Sequence, residues 1–130
     1  MIDITRPVAE KVAESRIAEG QVLVFTPGST AALTTIEYES GVVRDLIEAI
    51  ERLASKDMDY RHDAHWGDGN GYAHVRSALL GPSLSVPVMQ GRLALGTWQQ
   101  IVLIDFDNRP RKRQVVVQLS GLKVREEETA

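Results

Sequence analysis

The chain has no cysteine. That excludes disulfides, thiolate metal sites and a cysteine nucleophile, and it fits an intracellular setting. No apolar run approaches the ~18–20 residues needed to cross a bilayer. The start, "MIDITRPVAEK", has no apolar segment of the secretory kind, so a cytoplasmic protein is expected. No broad basic field points to nucleic acid, and no acidic tract points to disorder; the formal net charge is −3. No repeat, low-complexity tract or linker divides the chain. Its 130 residues are read as a single domain, 1–130. Strand–helix–strand alternation with a glycine-rich phosphate loop is also absent.

What is present is a near-average globular composition, 43% hydrophobic and 25% charged. "MIDIT" reads as a strand fragment. Thr5 is placed to cap a helix over "RPVAEKVAESRIAEG", with Pro7 in its first turn and Gly20 as its stop. Val8, Val12 and Ile17 would form its apolar face. "QVLVF" is a buried-type strand and "TPGS" a turn. In "TAALTTIE", Thr30, Ala32, Thr34 and Ile36 take one strand face, while Ala31, Leu33, Thr35 and Glu37 take the other. "SGVVRDLIEAIERLAS" is the clearest helix, with Ser40 as cap and Val43, Leu46, Ile47, Ile50 and Leu53 on one side. "KDMDYRHDAHWGDGNG" reads as a long polar loop, a kind that often carries function. A short helix, "YAHVRSALLG", follows, with Asn70 as cap and Gly81 as stop. "SLSVPV", "GRLAL", "WQQIVLIDF" and "KRQVVVQLSG" are strand-like, and "REEETA" is a charged, frayed tail. These elements predict an α+β domain, a largely antiparallel β-sandwich with two or three helices.

All three histidines fall within "HDAHWGDGNGYAH", residues 62–74, beside Asp63, Asp68 and Asn70. Imidazole with carboxylates suits zinc or manganese. A helix start after Asn70 would offer free amides to phosphate, and Gly67, Gly69 and Gly71 would let backbone approach a ligand. The same residues also read as plain turn chemistry with exposed histidines, and no metal motif of fixed spacing is matched. "GRLALGTWQQI" reads as a glycine bend with a core tryptophan. "RPRKR", residues 109–113, is a solvated turn or a docking point for phosphate or a neighbouring subunit's acidic groups; Arg111 and Arg113 would share one strand face. In "TPGSTAALTTIE", Ser29 and Thr30 offer amides and hydroxyls to an anion, and Glu37 is a candidate ligand or base. A threonine-rich edge strand explains that stretch equally.

Taken together, "VLVFTPGSTAALTTIE", "DGNGYAHVRSALLGPS", "SLSVPVMQGRLALGTWQQI" and "RPRKRQVVVQ" resemble, in order, the YjbQ-type family, also called secondary thiamine-phosphate synthases. The resemblance spans Ile2 to Gly121 and is closest to an archaeal-type branch. It implies an α+β fold, a homotrimer, and a pocket near subunit boundaries lined by His62, Asp68, Asn70 and His74, with Glu37 and Gln99. His65 is less securely placed. Many members have a histidine and two threonines where this chain has Gly28, Ser29 and Thr30, so that histidine's role is absent here. Members usually begin earlier, which suggests that a first strand is missing.

The implied reaction joins a phosphorylated thiazole to a pyrimidine diphosphate, giving thiamine phosphate and pyrophosphate, as an activity secondary to another main role. In that reading His62, His74, Asp68 and Glu37 are catalytic. Asn70, Gly71, Ser29, Thr30, Arg92 and Gln99 bind substrate, and His62, His74 and Asp68 hold a divalent ion, zinc or magnesium. The alternatives are a non-catalytic trimeric protein binding a phosphorylated metabolite or a metal, and a phosphate-ester hydrolase. Neither nucleic acid nor membrane is an expected partner.

Overall fold

The computed structural model describes residues 1–124. The elements run β1 (Ile2–Asp3), α1 (Thr5–Ser15), β2 (Ile17–Phe25), β3 (Ala31–Glu37), α2 (Ser40–Leu53), α3 (Arg61–Trp66), α4 (Gly71–Leu80), β4 (Ser83–Met89), β5 (Arg92–Leu93), β6 (Gln99–Asp105) and β7 (Val116–Lys123). One sheet has the order β1-β6-β3 and the other β5-β4-β2-β7, with every pairing antiparallel. The chain is therefore an α+β protein of two antiparallel sheets. The described residues form four helices, against the two or three expected. The tail from residue 125 lies outside the described residues.

Side-chain alternation explains the layering. Val22 and Val24 of β2 and Val86 and Val88 of β4 point inward. They meet Ala31 and Leu33 of β3, Ile101 and Leu103 of β6, and Val8 and Val12 of α1 in an inter-sheet core. The opposite face of the three-stranded sheet presents Ala32, Val102 and Ile104 to a second core with Ile50, Tyr72, Ala73 and Phe106. Four consecutive buried apolar residues, Ile101 to Ile104, mark β6 as covered on both faces. Each such side chain contributes roughly 1.5–3 kcal/mol on burial, so these two layers dominate the fold. Arg76 of α4 is buried between the Tyr72 and Phe106 rings, donates to Ala54 O and pairs with Glu51, which ties α4 to α2.

Several local expectations are corrected. α1 stops at Ser15 because Arg16 turns left-handed (φ 60). Ile17 then opens β2 opposite Lys123 and is buried as a strand residue. Gly20 ends no helix. It faces Gly121 across β2–β7, where a Cβ would lie 2.0 Å from Ser120 O. The Thr5 hydroxyl caps nothing; it donates to Asp3 Oδ1 (2.7 Å) and accepts from the Ile101 amide (2.8 Å). Glu39, not Ser40, caps α2 by accepting from the amides of Gly41 (2.7 Å) and Val42 (2.9 Å). Those two amides hold its carboxyl below the usual range. On the apolar side of α2 only Ile50 is deeply buried, while Leu53 remains 71% exposed. The expected polar loop contains α3, and Arg111 and Arg113 precede β7 rather than standing on its face.

Candidate metal and ligand site

The histidine stretch folds as a tight corner of two helices. α3 carries His62, Asp63 and His65, and Gly67 ends it in the left-handed region (φ 73) that favours glycine. α4 then begins at Gly71. The side chain of Asp63 reaches forward and accepts from the Gly71 amide at 2.8 Å. Gly71 is required by packing: a Cβ there would sit 2.6 Å from Tyr60 Cβ. The first amide of α4 is thus already satisfied by a carboxylate, and Gly71 is buried rather than open to a ligand. That weakens the expected phosphate site at this helix start, because the local charge there is already negative.

His62 Nδ1 lies 3.2 Å from Asp63 Oδ1 and 3.4 Å from Asp68 Oδ1. Atoms of these three side chains all fall within 4.8 Å of one another. His74, one turn into α4, brings its ring centroid to 4.4 Å from that of His62. One imidazole with two carboxylates, all partly solvent-exposed, favours a divalent cation over an anion. The mixed nitrogen and oxygen set suits zinc or manganese better than magnesium, which prefers oxygen. A cavity of about 460 Å³ opens beside it, lined by Asp59, Tyr60, Arg61, His62, Gly71, His74 and Val75. Arg61 has no ion-pair partner among the described residues and is exposed on that rim. His65 instead packs edge-on against Trp66 at 5.0 Å.

Sequence reading missed the parts played by Asp63 and Arg61. Asp63 bridges His62 and the Gly71 amide, a role set by the turn between α3 and α4. The only available signal was the adjacency of Asp63 to His62. Arg61 was masked by its place in what read as a loop.

Asn70 sits at the start of α4, and its backbone carbonyl accepts from the amides of Ala73 (2.9 Å) and His74 (3.3 Å). Its side chain does not cap the helix; Nδ2 donates to Asp107 Oδ1 at 3.2 Å. Asp107, whose side chain is 2% exposed, also accepts from Thr30 Oγ1 (3.1 Å), Arg111 Nε (2.8 Å) and the Asn108 amide (2.8 Å). Burial alone would raise its carboxyl pKa. The hydrogen bonds from Asn70, Arg111, the Asn108 amide and Thr30 outweigh burial and hold it far below the usual carboxylate range. Arg113 forks onto Asp105, Nε to Oδ2 at 3.0 Å and Nη2 to Oδ1 at 2.7 Å, and donates to Thr30 Oγ1 at 2.6 Å. The acidic groups that meet Arg111 and Arg113 therefore belong to this chain. Phosphate is not needed to neutralise them.

The remaining expected residues lie elsewhere. Thr30 is buried in the Asp107 network and Ser29 is exposed beside it. Glu37 pairs with Gln99 in register at the far end of β3–β6, about 23 Å along the strand from Thr30 at ~3.3 Å per residue. Gln99 accepts from the Gly96 amide (3.0 Å) and donates to Thr35 Oγ1 (3.0 Å). Arg92 lines a separate surface cavity of about 510 Å³ with Gly96, Gln99 and Gln100. Trp98 is no core residue, being 72% exposed. A cleft of about 330 Å³ between the sheets, bordered by Leu33, Thr35, Ser83, Ser85 and Gln99, holds no titratable group. Within one chain, chemistry concentrates at the α3–α4 corner.

Comparison with known proteins matches the chain to one family. A family model described as UPF0047 protein YjbQ-like covers residues 1–122. A UPF0047 protein of Archaeoglobus fulgidus is 47% identical over 117 residues, spanning 90% of this chain and 88% of that protein. UPF0047 protein YugU of Bacillus subtilis is 36% identical over 122 residues, 93% of this chain and 89% of that one. Among solved structures, a YbjQ-like protein of unknown function from Sulfolobus solfataricus has a TM-score of 0.88 at 33% identity, covering 92% of this chain and 86% of that one. An uncharacterized conserved protein of the yjbq/upf0047 family from Clostridium acetobutylicum gives 0.84 at 38% identity, covering 92% and 89%. No helix among the described residues is long and apolar enough to cross a membrane.

Proposed function

The chain belongs to the YjbQ-like UPF0047 family, and we propose that it binds a phosphorylated small molecule at the α3–α4 corner with a divalent ion. The observation that carries this reading is the convergence of His62, Asp63 and Asp68 within 4.8 Å, with the His74 ring tilted against that of His62. His62, Asp63 and Asp68 would hold the ion. When bound, it would supply positive charge to phosphate oxygens. Arg61 adds a cation on the same rim. His74 is free of protein hydrogen bonds among the described side chains, which suits a proton donor or acceptor toward ligand.

The reaction we favour is of the thiamine-phosphate synthase type. A thiazole nitrogen displaces pyrophosphate from a pyrimidine diphosphate: one carbon–nitrogen bond forms as one carbon–oxygen bond breaks. The protein's work is to neutralise the leaving group and align the partners. This activity is secondary to another main role in our reading. We further propose a homotrimer with sites near subunit boundaries. Support comes from the large exposed apolar side chains Trp98, Leu122, Leu53 and Trp66, each 70% exposed or more. A boundary site would also let Glu37 and Gln99 of a neighbouring copy join the corner from which they are separated within one chain.

The test is to replace His62 and His74 by alanine, singly and together, and measure manganese and zinc affinity, phosphate-ligand affinity and turnover of the two thiamine precursors. His62→Ala, which removes a ligand outright, is expected to lower metal affinity beyond the ~10–100-fold that loss of an outer-shell partner costs, and His74→Ala to lower turnover with metal affinity largely kept. Unchanged metal affinity in a folded His62→Ala protein overturns the cation site. Tight binding without turnover leaves a binding protein in place of an enzyme.

A further inference from the structure

The geometry points to Asp107 and Asn108 as positioning residues that clamp the Asp68 loop against the strand β6 exit. This rests on reading the α3–α4 corner as a cation site. Residues 67–70 join α3 to α4, and Asp68 is the one member of the His62–Asp63–Asp68 group that stands on no helix. Two contacts, one at Asp68 itself and one at Asn70, tie that loop down. Asn108 Nδ2 donates to the backbone carbonyl of Asp68 at 3.0 Å, and Asn70 Nδ2 donates to Asp107 Oδ1 at 3.2 Å. Adjacent residues of one turn thus grip both Asp68 and the residue two places after it.

The direction of the grip is fixed by chemistry. Asp107 is engaged by Arg111 and Thr30 and lies near Arg113 (3.9 Å), so it is an ionised acceptor. An ionised carboxylate cannot donate, so the Asn70 amide must turn its nitrogen to Asp107. Its oxygen is then buried with no hydrogen-bond partner among the described residues. Leaving a buried acceptor unpaired is unfavourable. The orientation is accordingly imposed by Asp107 and not chosen for the comfort of Asn70. Gly69 completes the approach: its left-handed backbone (φ 71) brings the loop to Asn108, whose Nδ2 would be 3.6 Å from a Cβ there. The loop carrying Asp68 is held in one shape before any ligand arrives, with Asp68 Oδ1 at 3.4 Å from His62 Nδ1.

The test uses the full chain with Asn108→Ala, whose exposed side chain can be removed without opening the core. Three readouts are taken: manganese affinity, the thermal unfolding midpoint, and hydrogen exchange at the amides of residues 69–71 in metal-free protein. The expected result is manganese binding weakened about ten-fold, the scale of orienting contacts behind a metal ligand. The midpoint stays within a degree or so of the parent's, while exchange at 69–71 accelerates. The loss should vanish in an Asp68→Ala background, since Asn108 acts through Asp68. An equal loss in that background overturns the proposal, as do unchanged affinity and unchanged exchange in Asn108→Ala. If the parent protein binds no manganese, the cation reading falls by itself. Exchange then decides the clamp: accelerated exchange upholds it and unaltered exchange overturns it.

Discussion

The β3–β6 ladder has a polar group at each end, and the two ends are built on different principles. At the Ala31–Asp105 end the strands run into a closed network of Thr30, Asn70, Asp105, Asp107, Arg111 and Arg113. At the Glu37–Gln99 end, Gln99 makes two hydrogen bonds in the open and the Glu37 side chain makes none among the described residues. Enclosed charge must be fully paired to exist at all, so the first end fixes shape. Charge left in water costs little to leave alone, so the second end is free to serve another surface. The first end contacts the loop of the candidate site; in the trimer proposed above, the second would bring Glu37 and Gln99 of a neighbouring copy to it.

The largest expected effect breaks the closed end. Asp107→Ala removes the acceptor shared by Asn70, Thr30 and Arg111 and leaves their donors partly enclosed. Arg111 is 41% exposed and keeps its water, so the cost is that of the enclosed Thr30 and Asn70 donors left unpaired, roughly 1–3 kcal/mol. Urea unfolding of parent and variant measures it, and a loss below about 1 kcal/mol would mean that the network is no more than surface charge.

Acid should act on the same end more gently. Asp105 is held low chiefly by its hydrogen bond from Arg113, against the effect of burial. Asp107 is held low by its donors, again against burial. Both folded-state values lie below the unfolded one, about 3.9 for aspartate. Their contribution to stability is therefore complete above that value and is lost as pH falls below it toward the folded values. Unfolding midpoints recorded from pH 6 to pH 2 should be flat at first and then fall below about pH 4. Asp107→Asn should flatten the lower limb.

The contrast between the ends also explains what could be read in advance. β6 was legible because "IVLI" is apolar without interruption, and the split of β3 into two faces followed from alternation alone. Ile17 misled because its spacing from Val12 and Val8 suits a helix face roughly as well as a strand start. α3 has only six residues and no apolar period, so nothing separated it from a loop. "DNRP" reads as a turn, and the chain bends there at Asn108 and Arg109. The partners that make Asp107 more than a turn residue stand 37 and 77 positions away in Asn70 and Thr30. Local pattern cannot show such pairing. The histidine cluster was visible as a cluster, while the bridging role of Asp63 depends on how α3 meets α4.

The smallest expected effects on stability fall at the open end. Gln99→Ala removes two exposed hydrogen bonds, to Gly96 and Thr35, and should cost about 1 kcal/mol in urea unfolding. Glu37→Gln removes no hydrogen bond or ion pair among the described residues and should change stability by less than about 0.5 kcal/mol. Its consequence for binding is the sharper measurement. If sites form between copies, Glu37→Gln should weaken phosphate-ligand binding several-fold while manganese affinity at His62, Asp63 and Asp68 stays as it was. A mixed assembly then separates the roles: His62→Ala chains combined with Glu37→Gln chains should recover part of the ligand binding that each variant loses alone. This follows because some boundaries would bring an intact Glu37 to an intact corner. Failure of the mixture to recover any binding would confine the working site to the α3–α4 corner of one chain and leave Glu37 a solvated strand end.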